Sequence, residues 1–217
     1  MFIGHYAVGL AAKSIAPRAP LWTLVGASQF LDLGFSTLIM TGAESYRVDS
    51  SLPGNPFVLN IPWTHSLLMA LVWSAVATGL ARAFRMPLKV ALVVGAVVFS
   101  HWILDFISHR PDLAFYPGGD PVLGLGFWNL PVPEMALEVG LLAVGGGIWV
   151  ARREDFRQTS WPAILYLAFL VALAILFALP APPPENAIFT GVSGLILFLF
   201  VTGIAWPVDR SWRPASK

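Results

Sequence analysis

The sequence contains no cysteine, which excludes disulfides, thiolate metal sites and a cysteine nucleophile, so any metal must be held by nitrogen and oxygen. Charge is scarce too. Asp, Glu, Lys and Arg make up 12% of the 217 residues, about half the share usual in a soluble domain, whereas hydrophobic residues make up 57%. The net charge of +1 provides no basic field for nucleic acid, which is excluded as a partner. The start, Met-Phe-Ile-Gly-His, lacks the basic n-region of a signal peptide and is expected to belong to the mature fold. A mean hydropathy of +0.72 points to an integral membrane protein.

What the chain does have is apolar runs, at 2–16, 21–40, 63–84, 88–108, 127–151, 161–179 and 187–206, with prolines at nearly every junction. Most reach the roughly 20 residues a membrane-crossing helix needs. The expected fold is all-α, a polytopic membrane helix bundle of six to seven helices, made of a short N-terminal helix and six spans. It forms one integrated membrane domain, with a candidate metal-site bundle over 1–155 and a C-terminal pair of scaffold helices over 156–217. The two last runs carry no ionisable residue, and Gly191 and Gly194 would allow close approach, so they read as scaffold or as the face of a homodimer.

Lysine and arginine set the expected orientation. All but two of the 13 lie in alternate connections, from Lys13 and Arg18 through Arg82, Arg85, Lys89, Arg152, Arg153 and Arg157 to Arg210, Arg213 and Lys217; Arg47 and Arg110 are the exceptions. By the positive-inside rule the C-terminus is expected in the cytoplasm.

Against this apolar background the polar residues are conspicuous. In Ser100-His101-Trp102-Ile103-Leu104-Asp105-Phe106-Ile107-Ser108-His109, the residues His101, Asp105 and His109 recur every four positions. On a helix they drift only about 40° per step and share one face. At about 1.5 Å per residue, His101 and Asp105 lie about 18 and 24 Å from Lys89. The same arithmetic brings His5, Asp32, His65, Glu134 and Glu138 to one layer, toward the periplasmic or outer face.

Ionisable groups inside apolar helices are usually functional. Three histidines and four carboxylates suffice for one or two divalent ions, with His109 and Asp112 as possible additional members. Glu134 or Glu138 is placed to take a proton from water, making them the candidate catalytic residues. Plainer readings stand beside these. His65 follows Pro62 at a helix start, Glu134 suits a helix N-terminal dipole, and His109 and Asp112 can be polar residues at a helix end. Glu44, Asp49, Asp120 and Asp155 read as solvated loop charges, and Trp102, Trp128 and Trp161 as interfacial anchors.

The order of motifs, Gly4-His5, an aspartate in the second helix, Thr64-His65-Ser66 and Ser100-His101-x-x-x-Asp105 followed by Tyr116-Pro117, resembles the YdjM-like family of bacterial membrane-bound, metal-dependent hydrolases over about residues 4 to 120. It is also similar to the ligand order of zinc-dependent phospholipases C. The resemblance implies that His5, Asp32, His65, His101 and Asp105 are metal ligands, most simply for zinc with manganese as the alternative, and that water attacks a phosphodiester. Two departures stand out. The family's Pro-Asp-x-Asp run is Leu31-Asp32-Leu33-Gly34 here, and the phospholipases' later His-x-x-x-Glu is Glu134-x-x-x-Glu138.

The leading expectation is therefore an inner-membrane metal-dependent hydrolase of a lipid or lipid-linked phosphoester. A divalent-metal or proton-coupled transporter is the alternative, and a haem protein using His65 and His101 axially is disfavoured by the surplus of carboxylates.

Overall fold

The run from Leu88 to Ser108 forms one unbroken helix, as its apolar length predicts. It is α6 in chain order, and the remaining helices assemble around it. A computed structural model describes residues 1–155, 159–179, 184 and 186–210. Arg157, Arg213, Lys217 and the prolines at 180–183, which entered the orientation and junction arguments, lie outside the described residues.

The chain is a helical membrane bundle. Its other helices are α1 (Gly4–Ile15), α2 (Leu21–Ser28), α3 (Phe30–Thr41), α4 (Pro62–His65), α5 (Leu67–Ala83), α7 (Pro131–Asp155), α8 (Trp161–Ala178) and α9 (Ala187–Arg210). Among the described residues four helices, α6 to α9, are long and apolar enough to cross a membrane. A fifth crossing is possible if α2 and α3 count as one span bent by 54°.

The six expected spans thus become four or five, for local reasons. The run at 21–40 breaks at Gln29, where the backbone leaves helical geometry and the Ser28 carbonyl turns outward to a side chain of α6. The run at 63–84 breaks at Ser66, whose extended backbone lets its hydroxyl cap α5 by accepting from the Met69 N–H at 3.4 Å. That leaves α5 at 17 residues, short for a span.

Two antiparallel hairpins absent from the sequence expectation join the helices at one end of the bundle. Strand β1 (Ser45–Val48) pairs with β2 (Phe57–Asn60), and β3 (Leu113–Ala114) with β4 (Pro121–Leu123). Arg110 buckles this end together. Its guanidinium donates to the Asn129 side chain at 2.6 Å and to the carbonyls of Pro53, Asn55 and Phe57 at 2.8, 2.6 and 3.3 Å.

Packing follows from the apolar faces. Helix α5 lies along α6, α1 along α7, and α9 along both α2 and α3. Helices α1 and α2 are shared between two apolar clusters. One contains Ala12, Leu24, Ala27 and Val98; the other contains Tyr6, Leu10, Val25, Trp149, Tyr166 and Val201. Gly145 lets α7 meet the backbone of α1, since a Cβ there would collide with the Ala7 carbonyl. Gly191 and Gly194 make a similar approach to Ser36 and Met40 of α3, so these glycines serve contacts within the chain.

At the end opposite the hairpins, the buried Lys13 ammonium meets the Asp209 carboxylate at 2.8 Å. The other oxygen of Asp209 accepts from the Leu21 N–H at the start of α2, at 2.9 Å. This fastens the end of α9 to the junction between α1 and α2.

Candidate metal centre

Four segments deliver the central side chains: α3 brings Asp32, α4 brings His65, and α6 brings His101 and Asp105 one turn apart, while α1 adds His5. His5, His65, His101 and Asp105 are buried; the Asp32 side chain is 18% exposed and marks the opening. The residues singled out from the sequence do converge.

The Nδ1 atoms decide what each imidazole can do. His101 Nδ1 lies 2.7 Å from the Ser28 carbonyl oxygen, which can only accept, so Nδ1 carries the proton. In the neutral ring Nε2 is then a bare lone pair. His65 Nδ1 lies 2.7 Å from the Thr64 hydroxyl, and that hydroxyl lies 2.8 and 2.9 Å from the two oxygens of Glu44. The hydroxyl has one proton and gives it to the carboxylate, so it accepts from His65 and leaves His65 Nε2 bare as well. His109 Nδ1 similarly faces Asp112 Oδ1 at 2.9 Å, and its Nε2 lies 3.7 Å from Asp105 Oδ1.

These bare nitrogens point at one another and at carboxylates. His65 Nε2 and His101 Nε2 are 3.3 Å apart. Asp105 Oδ2 lies 3.0 Å from the His101 nitrogen and 3.4 Å from the His65 nitrogen, and Asp32 Oδ1 lies 3.7 and 3.5 Å from the same pair. Lone pairs at such distances repel unless a cation is shared among them or extra protons are taken up. Bonds of about 2.0–2.1 Å to a tetrahedral ion place the ligand atoms about 3.3–3.4 Å apart, so the spacing fits a first-row divalent metal. Two buried groups can hold such an ion: Asp32 with His65 and His101, and His5 with His101 and Asp105.

His5 is set differently from the others. Its ring stacks flat on that of His101, with centroids 3.7 Å apart and planes 4° from parallel. Its Nε2 sits 3.1 Å from both Asp105 Oδ1 and the Met1 carbonyl, two acceptors, while its Nδ1 is buried without a hydrogen bond.

The two glutamates of α7 also part company. Glu138 Oε2 accepts from three successive backbone N–H groups that open α1, those of Phe2, Ile3 and Gly4, at 3.1, 2.5 and 3.0 Å. Glu134 is buried beside the Ser108 hydroxyl, and among the described residues neither group is held in a hydrogen bond of ordinary geometry.

The family model described as YdjM inner membrane protein matches residues 1–206. The chain belongs to the YdjM family. No curated protein and no solved structure matches it at a significant level. For this YdjM-family chain, family and apolar helices agree on a multi-pass protein of the inner membrane.

Two sequence readings are corrected in the YdjM-family structure. Glu44 is not a solvated loop charge. It is 1% exposed and accepts from the N–H groups of Trp63 and Thr64 at 2.9 and 2.8 Å, capping α4. Burial pushes its carboxyl above the ordinary value, while the neighbouring His65 and the hydrogen bonds from Thr64 and Trp63 pull it back. Trp102 is not an interfacial anchor; it is buried, and its indole N–H donates to the His65 carbonyl at 2.9 Å. The adjacency of Thr64 and His65 was the only available signal for Glu44, since nothing in a linear pattern couples residues 20 positions apart across a hairpin.

Proposed function

We propose that this YdjM-family protein is a metal-dependent hydrolase of a membrane lipid or lipid-linked phosphoester, with its site toward the outer leaflet and its C-terminus in the cytoplasm. The observation that carries the reading is the meeting of the bare His65 and His101 Nε2 atoms with Asp32 and Asp105 at metal-ligand spacing. A soluble substrate would reach a surface site more easily. Here the partly exposed ligand, Asp32, sits past the midpoint of the bent pair α2–α3 on the hairpin side, which supports access by a lipid headgroup of that leaflet through lateral diffusion. Lys13, Arg82, Arg85, Lys89, Arg152 and Arg153 fall at the helix ends away from the hairpins, which supports the orientation.

A bound divalent ion, zinc or else manganese, would polarise a phosphoryl oxygen and acidify water. Asp32, His65, His101 and Asp105 would hold it, with His5 bracing Asp105 from its other oxygen. Glu134, beside the Ser108 hydroxyl and outside any ordinary hydrogen bond among the described residues, is the group left to accept a proton from attacking water. Glu138 keeps α1 in place and so keeps His5 over His101.

The test is elemental analysis of detergent-purified wild type beside His101→Ala and Asp105→Ala, followed by turnover on phosphodiester lipids. Metal and turnover should both be lost in the variants with the fold retained; undiminished turnover in either sinks the reading. The 54° break beside Asp32 favours a second reading as a divalent-metal or proton-coupled transporter, because discontinuous helices often carry transient ion sites. Ion flux in liposomes without hydrolysis would select it.

A further inference from the structure

We infer that Glu44 is a positioning residue which acts through Thr64 to hold His65 in its Nδ1–H tautomer, aiming the Nε2 lone pair at Asp32, His101 and Asp105. The inference deepens the metal-site reading and rests on it for its purpose, although the tautomer can be tested without any ion.

The chain of contacts is continuous and buried throughout. Glu44, Thr64 and His65 are each no more than 2% exposed. The Glu44 carboxylate has only acceptor capacity, so the Thr64 hydroxyl must donate to it. A hydroxyl that has given its proton away can only accept at its other side, where His65 Nδ1 stands at 2.7 Å. The direction of the whole relay is therefore set by the carboxylate at its far end.

Two further observations give the relay a purpose beyond capping a helix. Helix α4 needs Glu44 only for the N–H groups of Trp63 and Thr64; the bond to the Thr64 hydroxyl is extra. Moreover, two other histidines, His101 of α6 and His109 just beyond its end, have their Nδ1 atoms fixed in the same sense, His101 by the Ser28 carbonyl and His109 by the Asp112 carboxylate. His65 belongs to this set, its acceptor being a hydroxyl made into a pure acceptor by Glu44. Outer partners of this kind usually change metal affinity 10–100-fold when removed.

Thr64→Val isolates the effect. It keeps the branched shape and the methyl beside Gly34, and it leaves both backbone bonds to Glu44 intact. Thr64→Ser restores the hydroxyl. Glu44→Gln can place an amide N–H against the Thr64 oxygen, competing for the lone pair His65 uses.

The experiment reads ¹⁵N-histidine NMR of the metal-free full chain in detergent, then zinc affinity by chelator competition. Wild type and Thr64→Ser should show His65 protonated at Nδ1, with Nε2 bare or carrying an extra proton while the ion is absent; Thr64→Val and Glu44→Gln should lose the Nδ1 proton in favour of the Nε2–H form and weaken zinc binding at least about tenfold. An unchanged His65 tautomer in both Thr64→Val and Glu44→Gln overturns the inference. So does a shifted tautomer accompanied by unchanged zinc affinity, since the relay would then have no bearing on the ion. Wild type that binds no zinc yet shows the Nδ1–H form, lost in Thr64→Val, supports the positioning role and removes the hydrolase reading alone.

Discussion

Replacing Glu138 by alanine should loosen the start of α1 before it affects any chemistry. In the folded chain a single oxygen receives three consecutive backbone N–H groups, those of Phe2, Ile3 and Gly4, two of them in fully buried surroundings. A hydrogen bond contributes about 1 kcal/mol net, and a buried donor left unpaired costs about 1–3 kcal/mol. Three donors therefore set a loss of about 3 kcal/mol, lowered toward about 2 if water reaches the helix end. Glu138→Gln keeps an acceptor and loses the charge, so it should cost about half as much. The assay is reversible unfolding in mixed micelles, followed by circular dichroism, with metal content measured on the same samples. Because His5 follows Gly4 directly, bound metal should weaken in step with the loss of stability. A Glu138→Ala protein with stability within about 0.5 kcal/mol of wild type, full metal and no turnover would refute this account and make Glu138 the proton acceptor.

Two other outcomes are expected. Asp209→Asn removes the counter-charge from the buried Lys13; because the Asp209 side chain is 16% exposed, the expected loss is about 2 kcal/mol, below the 3–5 typical of a fully buried pair, and the same micelle unfolding measures it. Zinc at a hundredfold excess over its Kd should stabilise wild type by about 2.7 kcal/mol and leave His101→Ala unmoved; equal stabilisation of both would place the ion elsewhere.

The sequence makes some of this legible and hides the rest for identifiable reasons. Apolar length alone predicts α6 to its last residue, and helical spacing alone puts His101, Asp105 and His109 on one face. The depth arithmetic also brings His5, Asp32, His65 and the two glutamates to one layer. What it cannot see is the breaks. Hydropathy runs smoothly through Gln29 and Ser66, whereas the chain interrupts its helices there so that Ser28 can present a carbonyl and His65 can turn inward. The hairpins escaped because they are short and lie in segments dominated by proline and glycine. Glu44 and Trp102 were misread because charge in a loop and tryptophan near a helix end carry strong surface expectations, which hydrogen bonds across the fold override.

The two candidate groups have His101 in common, and an imidazole nitrogen has one lone pair to give. They are therefore rival seats at one chair. A first ion settled with Asp32 and His65 leaves a second with His5 and Asp105 but without its third ligand, and a first ion settled with His5 and Asp105 strips the other seat in turn. Asp105, with one oxygen near His5 and the Met1 ammonium and the other near His65, faces both groups. Loading should thus be strongly anticooperative, one ion tight and the next loose, and His101 is where the competition is decided.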